Sequence, residues 1–510
     1  MNRQWIFTAL VAVAGWMLSP SVNAQNYVEV PDGADEATIL EAALSVRPSE
    51  RQMAWQELEY YGFIHFGPNT FTGMEWGDGT TDPALFNPLA LDANQWVKVF
   101  KNAGMKGLIL TAKHHDGFCM WPTATTGYSV KKSPWRNGNG DLVKEVADAC
   151  RAAGIKFGVY LSPWDRNHPS YGDSPAYNEV FRQQLTELLT NYGDVFEVWF
   201  DGANGEGPNG KVQQYDFESY YALIRKLQPN AVIAIMGPDV RWVGNEAGKG
   251  RDPEWSVLPV EVASRRKIAS DSQQNVQQDM FVPKDARGND LGSREKLKGT
   301  SGVIWYPSEV DTSIRPGWFY HSDQDDKVKT PQHLEDIYYS SIGMNSTLLL
   351  NIPPDRRGLI HENDIDHLMA LRRRIDNTFS VNLAQQAKLS SSKPAKGFEA
   401  AKLIDGNKFS YWKSTTGDQE YLIEFKFKKA VTFDRLMLQE NIRNGQRIEA
   451  FQLEVYQNRQ WVKVAEAQTV GYKRLLRFEP VTAKKVRLKI TAFRAAPELI
   501  EAGLYLAPQN

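Results

Sequence analysis

Residues 107–118 read Gly107-Leu108-Ile109-Leu110-Thr111-Ala112-Lys113-His114-His115-Asp116-Gly117-Phe118. A short apolar run bounded by glycines and rich in aliphatic residues reads as a strand buried on both faces, as strands of parallel sheets are. It stops abruptly on ionisable residues, which puts polar chemistry at its C-terminal end. The pattern recurs at Tyr60–Gly67, Lys156–Ser162, Val195–Gly202 and Ala231–Gly237, and more weakly at Glu254–Pro259, Val303–Val310 and Thr347–Ile352. Between these runs the apolar period predicts helices at Ala93–Ala103, Asp141–Ala153, Pro175–Tyr192, Tyr215–Leu227 and Pro331–Ile342. Gly104, Gly154, Gly193 and Gly343 stand where a left-handed C-cap would end several of them. Early strands start 47, 49, 39 and 36 residues apart, room for one βα unit each. Eight strands alternating with helices predict an α/β fold, a (β/α)8-like barrel over residues 25–380. A doubly wound sheet is the alternative, but no strand end carries a glycine-rich phosphate loop.

Past a helical stretch at His361–Asp376 the period changes. Short alternating runs at Tyr421–Phe427, Arg435–Gln439, Phe451–Tyr456, Trp461–Ala465 and Lys485–Thr491 predict an all-β sandwich over residues 397–510. The segment 381–396, with the Ser-, Ala- and Lys-rich stretch Gln386–Lys396, reads as the linker. The polar stretch Lys267–Thr300 reads as a long loop.

At the other end, Arg3, the apolar run Trp5–Leu18 and the small-x-small pattern Val22-Asn23-Ala24 predict a cleaved signal peptide over residues 1–24. The mature protein is then periplasmic or secreted, with no membrane anchor. Export permits disulfides, yet only Cys119 and Cys150 are available, and their apolar surroundings favour two buried thiols. The 59 Lys and Arg nearly balance 61 Asp and Glu, and with no bias between the halves strong enough to suggest a polyanionic partner, nucleic-acid binding is not expected. The 15 Trp supply flat rings suited to stacking on sugars.

In a barrel of this kind the C-terminal strand ends form the functional face. The expected strands deliver His65, with Glu75 and Trp76 in the following loop, then His114 and His115, Tyr160, and Trp199-Phe200-Asp201-Gly202. Later loops bring Arg241, Glu246 and Trp318. Aromatic faces for C–H surfaces, with imidazoles and carboxylates for hydroxyls, suit a monosaccharide site. Glycosidic cleavage needs two carboxyl groups, one to protonate the leaving oxygen and one to attack or to activate water. Asp201, at the end of an apolar strand, is the candidate nucleophile, although a turn or cap aspartate would look the same. Glu246 is the candidate acid, with a solvated loop glutamate as its plain alternative. A metal site at His65, His114, His115 and Asp116 is the competing reading of the histidine cluster, without a ligand spacing characteristic of zinc.

Four motifs in order, Tyr61-Gly62-Phe63-Ile64-His65-Phe66-Gly67, Lys113-His114-His115-Asp116-Gly117-Phe118, Gly158-Val159-Tyr160-Leu161-Ser162 and Trp199-Phe200-Asp201-Gly202, closely resemble the strand ends of glycoside hydrolase family 29, the retaining α-L-fucosidases. The resemblance covers roughly residues 50 to 375. It implies a fucosyl pocket lined by His65, Glu75, Trp76, His114, His115, Tyr160 and Trp199, with Asp201 as nucleophile. The text Pro238–Glu246 resembles the branch acting on α-1,3/1,4-fucosyl linkages of Lewis-type glycans, which implies Glu246 as acid/base and Arg241 and Trp318 beside the substrate. Should the branch differ, Glu254 or Glu206 competes as the acid and the specificity is broader or α-1,2. Another retaining exo-glycosidase, or a carbohydrate-binding barrel without catalysis, is the reading outside this family. The C-terminal residues Leu403-Ile404-Asp405-Gly406-Asn407 and Tyr411-Trp412 resemble discoidin or coagulation-factor C-type domains, often carbohydrate-binding modules. No cofactor is implied, and a structural calcium in that domain stays open.

Overall fold

The computed structural model describes residues 25–263, 290–415, 417 and 419–508. The expected signal peptide and most of the polar stretch 267–300 lie outside them. The barrel strands are β1 (Tyr60–Ile64), β2 (Gly107–Lys113), β3 (Lys156–Leu161), β4 (Glu197–Phe200), β5 (Val232–Ile235), β6 (Arg241–Trp242), β7 (Ser308–Ser313) and β8 (Thr347–Asn351). They form one parallel sheet in the order β5-β4-β3-β2-β1-β8-β7-β6. A single parallel bridge, Ala234 to Val240, nearly closes the ring. There Ile235 sits at φ +64°, an uncommon backbone for a β-branched residue.

Two expected strands are corrected. The sixth barrel strand is the two-residue Arg241–Trp242, and Val257–Pro259 instead joins Tyr27–Glu29 and Gly302–Trp305 in a separate antiparallel sheet. The expected run Val303–Val310 is thus two strands in two sheets, divided at Tyr306-Pro307. Apolar composition marks a strand as buried without saying which sheet buries it. β7 escapes that signal because Ser308, Glu309, Asp311, Thr312 and Ser313 are polar yet buried.

The helices Ala93–Asn102, Leu142–Ala153 and Phe217–Leu227 start on Asp92, Asp141 and Asp216, whose carboxylates accept from backbone N–H groups of the first turn. Gly104, Gly154 and Gly193 have positive φ, as expected of left-handed caps. Gly343 does not. The helix Pro331–Ser340 ends earlier, and a side chain at Gly343 would meet the Tyr339 carbonyl and, at 3.0 Å, Leu475. Close packing, not backbone handedness, selects glycine there.

Only five residues separate β5 from β6, too few for a helix between them. The C-terminal domain packs against the loop that follows β6. Its strands are β9 (Ala387–Ser391), β10 (Trp412–Lys413), β11 (Tyr421–Glu440), β12 (Ile448–Gln457), β13 (Gln460–Gln468), β14 (Arg474–Phe493) and β15 (Glu498–Tyr505), all antiparallel. β9 lies inside the expected linker 381–396; in Ala-Lys-Leu-Ser-Ser, Ala387 and Leu389 turn to the core and Lys388 to water. Gln446 accepts from Ser256 N (2.8 Å), the Arg494 guanidinium lies 3.9 Å over the Trp255 ring, Arg474 pairs with Asp252 (2.8 Å) and Glu449 with Arg294 (2.9 Å). The Arg494 guanidinium covers Trp255 from the C-terminal domain, while Val257 is buried among Ile39, Ala42 and Ala43 of the helix Glu36–Ser45. Cys119 and Cys150 are free and buried, and no helix among the described residues is long and apolar enough to cross a membrane.

Candidate functional site

The C-terminal strand ends open into a cavity of about 640 Å³, its mouth included. Phe63, His65, Glu75, Trp76, His114, His115, Tyr160, Trp199, Asp201, Trp242, Glu246, Asp311 and Trp318 line it, along with Gly202, Ala203 and Ile235. Of the candidates from the sequence, Arg241, Asp116 and the competing acids Glu254 and Glu206 do not line it, and all the others meet there. The Arg241 guanidinium is buried against Glu254, and the neighbouring Trp242 takes the wall position. Glu254, one competing acid, is 1% exposed and held by Arg241 and Arg251 (3.8 Å), away from the cavity. Glu206, the other, is exposed outside it, its carbonyl accepting from Trp164 Nε1 at 3.0 Å.

Asp201 follows β4 directly. Its Oδ2 accepts from the Tyr160 hydroxyl at 3.0 Å and its Oδ1 from Ala203 N at 2.7 Å, so both oxygens are held while the side chain stays 23% exposed to the cavity. Burial and the nearby Asp201 charge push the Tyr160 phenol well above its ordinary pKa, which keeps it a donor.

Hydrogen bonds set the imidazole tautomers. The Asn351 amide nitrogen donates to Ser313 Oγ (2.9 Å) and the Trp318 carbonyl (2.8 Å), so its oxygen faces His65 and accepts from Nδ1 at 2.9 Å. The Ser162 hydroxyl donates to the Trp164 carbonyl at 2.7 Å and therefore accepts from His115 Nδ1 at 2.8 Å. Burial lowers His65 to about 3 and also lowers His114 and His115. His65 and His115 are thus neutral, each with Nδ1 protonated and Nε2 left as an acceptor for a ligand hydroxyl. His115 Nε2 stands 3.8 Å from Asp201 Oδ2. His114 stacks on Tyr160 at 5.8 Å and 16°, and its buried Nδ1 has no hydrogen-bond partner among the described residues. Among the described residues, no group of three or more His, Cys, Asp or Glu is arranged to hold a metal ion.

The facing wall is built by loops. Arg315, paired with Asp364 (2.9 Å) and Asp325 (2.8 Å), anchors the loop that carries Trp318. Trp318 Nε1 donates to Glu246 Oε2 at 3.2 Å, and its backbone N–H donates to Glu75 Oε2 at 2.8 Å. The other Glu75 oxygen meets His321 Nε2 at 2.6 Å, and that bond raises the His321 pKa. Trp76 stands edge-on to His115 at 5.2 Å. Trp199 stacks on Tyr160 at 5.2 Å and 25°, while its Nε1 donates to Glu309 Oε1 at 2.7 Å. Glu309 and Glu197 sit together in the barrel interior with Tyr61 and Trp55, and burial raises both carboxyls.

Sequence reasoning missed Asp311 as a site residue. It lies on β7, lines the cavity and accepts from Trp242 Nε1 at 2.8 Å. Burial first, and then the charge of Glu246, push it well above the ordinary carboxylate range. The expected strand stopped one residue short of it, and the only available signal was the polar alternation Ser308–Ser313.

A family model described as Alpha-L-fucosidase matches residues 49–373, and one described as F5/8 type C domain matches 386–499. An Arabidopsis thaliana protein, Alpha-L-fucosidase 1, is 42% identical over 468 residues, 90% of this chain and 87% of that one. A crystal structure of a putative alpha-L-fucosidase from Bacteroides ovatus is 49% identical with a TM-score of 0.82, covering 95% of this chain and 78% of that one. A Ruminococcus gnavus GH29 fucosidase in complex with fucose is 32% identical with a TM-score of 0.78, covering 94% and 97%.

Proposed function

The chain belongs to the alpha-L-fucosidase family of glycoside hydrolases, and from that membership we propose a retaining, exo-acting enzyme that releases terminal α-1,3/1,4-linked fucose from branched, Lewis-type glycans by double displacement. The observation that carries the reading is one cavity with Asp201 on the strand-end wall, held by Tyr160, and Glu246 on the loop wall, held by Trp318. Asp201 attacks the anomeric carbon while Glu246 protonates the departing oxygen. Glu246 then takes a proton from water, which displaces Asp201 and frees fucose with its configuration retained. The neutral Nε2 atoms of His65 and His115 accept hydroxyl protons of the sugar, and Trp199 and Trp318 offer ring faces to its C–H surfaces. The mature protein acts after export through the cleaved signal peptide, in a periplasm or outside the cell.

The test is incubation with Lewis x trisaccharide and, separately, 2′-fucosyllactose, with proton NMR of the first fucose anomer formed. Release from the Lewis sugar, initially as the α anomer, supports the whole reading. Preferential release from 2′-fucosyllactose overturns the linkage assignment, and initial β-fucose overturns retention. Glu246→Ala is expected to lose activity on the trisaccharide by 10²–10⁴-fold, roughly the contribution of a general acid, and less on an aryl fucoside whose leaving group needs no proton. Added azide, which needs no base, is expected to restore turnover of the aryl substrate.

A further inference from the structure

The near balance of charge over the whole chain conceals a division that its total did not predict. Residues 386–510 hold 22 Lys and Arg against 13 Asp and Glu, a formal +9, whereas residues 1–385 hold 37 against 48, a formal −11. The positive charge has a pattern. Register sets Lys388 on β9 opposite Lys426 on β11, and Lys426 opposite Lys485 on β14. All three are exposed, on the face turned away from the buried Phe425, Phe427 and Val486. No carboxylate among the described residues is in ion-pair contact with any of them. Like charges directly opposite destabilise a sheet. The adjacent row of the same face alternates instead: Glu424, Arg487, Glu454, Lys463, with Arg487 bonded to Glu454 at 2.7 Å. Lysines on edge strands discourage edge pairing, but β11 and β14 are paired on both sides. The row then ends on aromatics: Lys485 Nζ lies 4.9 Å over the Tyr456 ring, and Tyr456 meets Trp461 across the strands at 5.3 Å.

We propose that this face binds an acidic glycan chain, its sulfates or carboxylates on Lys388, Lys426 and Lys485 and a sugar ring on the Tyr456–Trp461 pair. Three adjacent strands set the first and third lysines about 10 Å apart, which suits a chain of repeated charges better than a single ion. The aromatic end favours a sugar polymer, and the choice of glycan over other polyanions rests on the reading of the barrel as glycan-directed.

The experiment measures binding of the full chain to immobilised chondroitin sulfate, with neutral dextran, double-stranded DNA and phosphatidylserine vesicles in parallel. Chondroitin sulfate is expected to bind in a salt-sensitive manner and dextran not to bind. The triple variant Lys388→Ser, Lys426→Ser, Lys485→Ser is expected to lose affinity about a hundredfold, about fivefold per lysine near an anionic surface. The triple Lys→Arg variant is expected to keep it, and Trp461→Ala to weaken it several-fold. Turnover of an aryl fucoside should stay unchanged in all of these variants, so a failure of the barrel reading shows there and not in the binding assay. Equal binding by the serine variant, tighter binding to DNA or vesicles, or no binding at low salt overturns the proposal.

Discussion

The two flanks of the barrel are built differently. From β1 to β4, helices separate the buried strands, two of them opened by the Asp92 and Asp141 caps, and the strand ends deliver His65, His114, His115, Tyr160 and Asp201 directly to the cavity. From β5 to β7 the strands are short or polar, five residues join β5 to β6 without a helix, and the C-terminal domain packs on Trp255 and Ser256 in the loop after β6. The first flank holds its groups on rigid strand ends. The second presents Glu246 and Trp318 from loops, fixed by Arg315 and Asn351. A nucleophile needs a fixed position against one ring, whereas an acid/base must meet differing leaving groups, so strand and loop suit the roles proposed for Asp201 and Glu246.

The largest expected effect breaks the first flank. Asp201→Asn is expected to lower aryl-fucoside turnover by about 10⁴-fold while calorimetry still detects fucose binding; retained turnover would remove Asp201 from the mechanism. On the second flank Arg241→Met leaves Glu254 buried without its main partner. Unfolding in denaturant is expected to show a loss of about 3–5 kcal/mol with KM nearly unchanged. A large rise in KM at unaltered stability would return Arg241 to the substrate.

The next effect is a pH dependence on the first flank. Asp116 is buried, its Oδ2 has no hydrogen-bond partner among the described residues, and burial raises its pKa from 3.8 to about 7. Between those values the folded chain holds a proton that the unfolded chain has released, so Asp116 makes stability fall as pH rises from about 4 to 7. Asp116→Asn is expected to flatten that slope, by at most about 4 kcal/mol across the interval, in melts at several pH values. An unchanged slope would mean that Asp116 is ionised in the fold. The smallest effect lies beneath the floor of the cavity. Glu309→Gln keeps an acceptor for Trp199 but removes a shared proton site, and is expected to change kcat/KM by less than about tenfold, near one hydrogen bond's worth. Glu309→Leu, which frees Trp199 Nε1, should cost more.

Much of this was legible in the chain because local rules carried it. Apolar runs closed by Lys113-His114-His115-Asp116 or Trp199-Phe200-Asp201 mark buried strands and the chemistry at their ends, and Asp92 or Asp141 before an amphipathic run marks a helix start. The strand identities of β6 and β7 were not legible, because a two-residue strand has no period and a polar strand resembles a loop. Asp311 was hidden for the same reason. Arg241 next to Trp242 could not be assigned, since adjacent strand residues face opposite sides and only register decides which meets the cavity.

What the sequence alone determined was the alternation of strands and helices, the change of period before the all-β domain, and the order of His, Tyr, Trp and Asp at successive strand ends, because each depends on residues a few positions apart. Tertiary structure decided the tautomers of His65 and His115, the burial of Arg241 against Glu254, the meeting of Glu246 with Trp318 and Asp311, and the alignment of Lys388, Lys426 and Lys485. Each of these joins side chains from different strands or loops, and only packing and strand register bring such groups within hydrogen-bonding or Coulombic range.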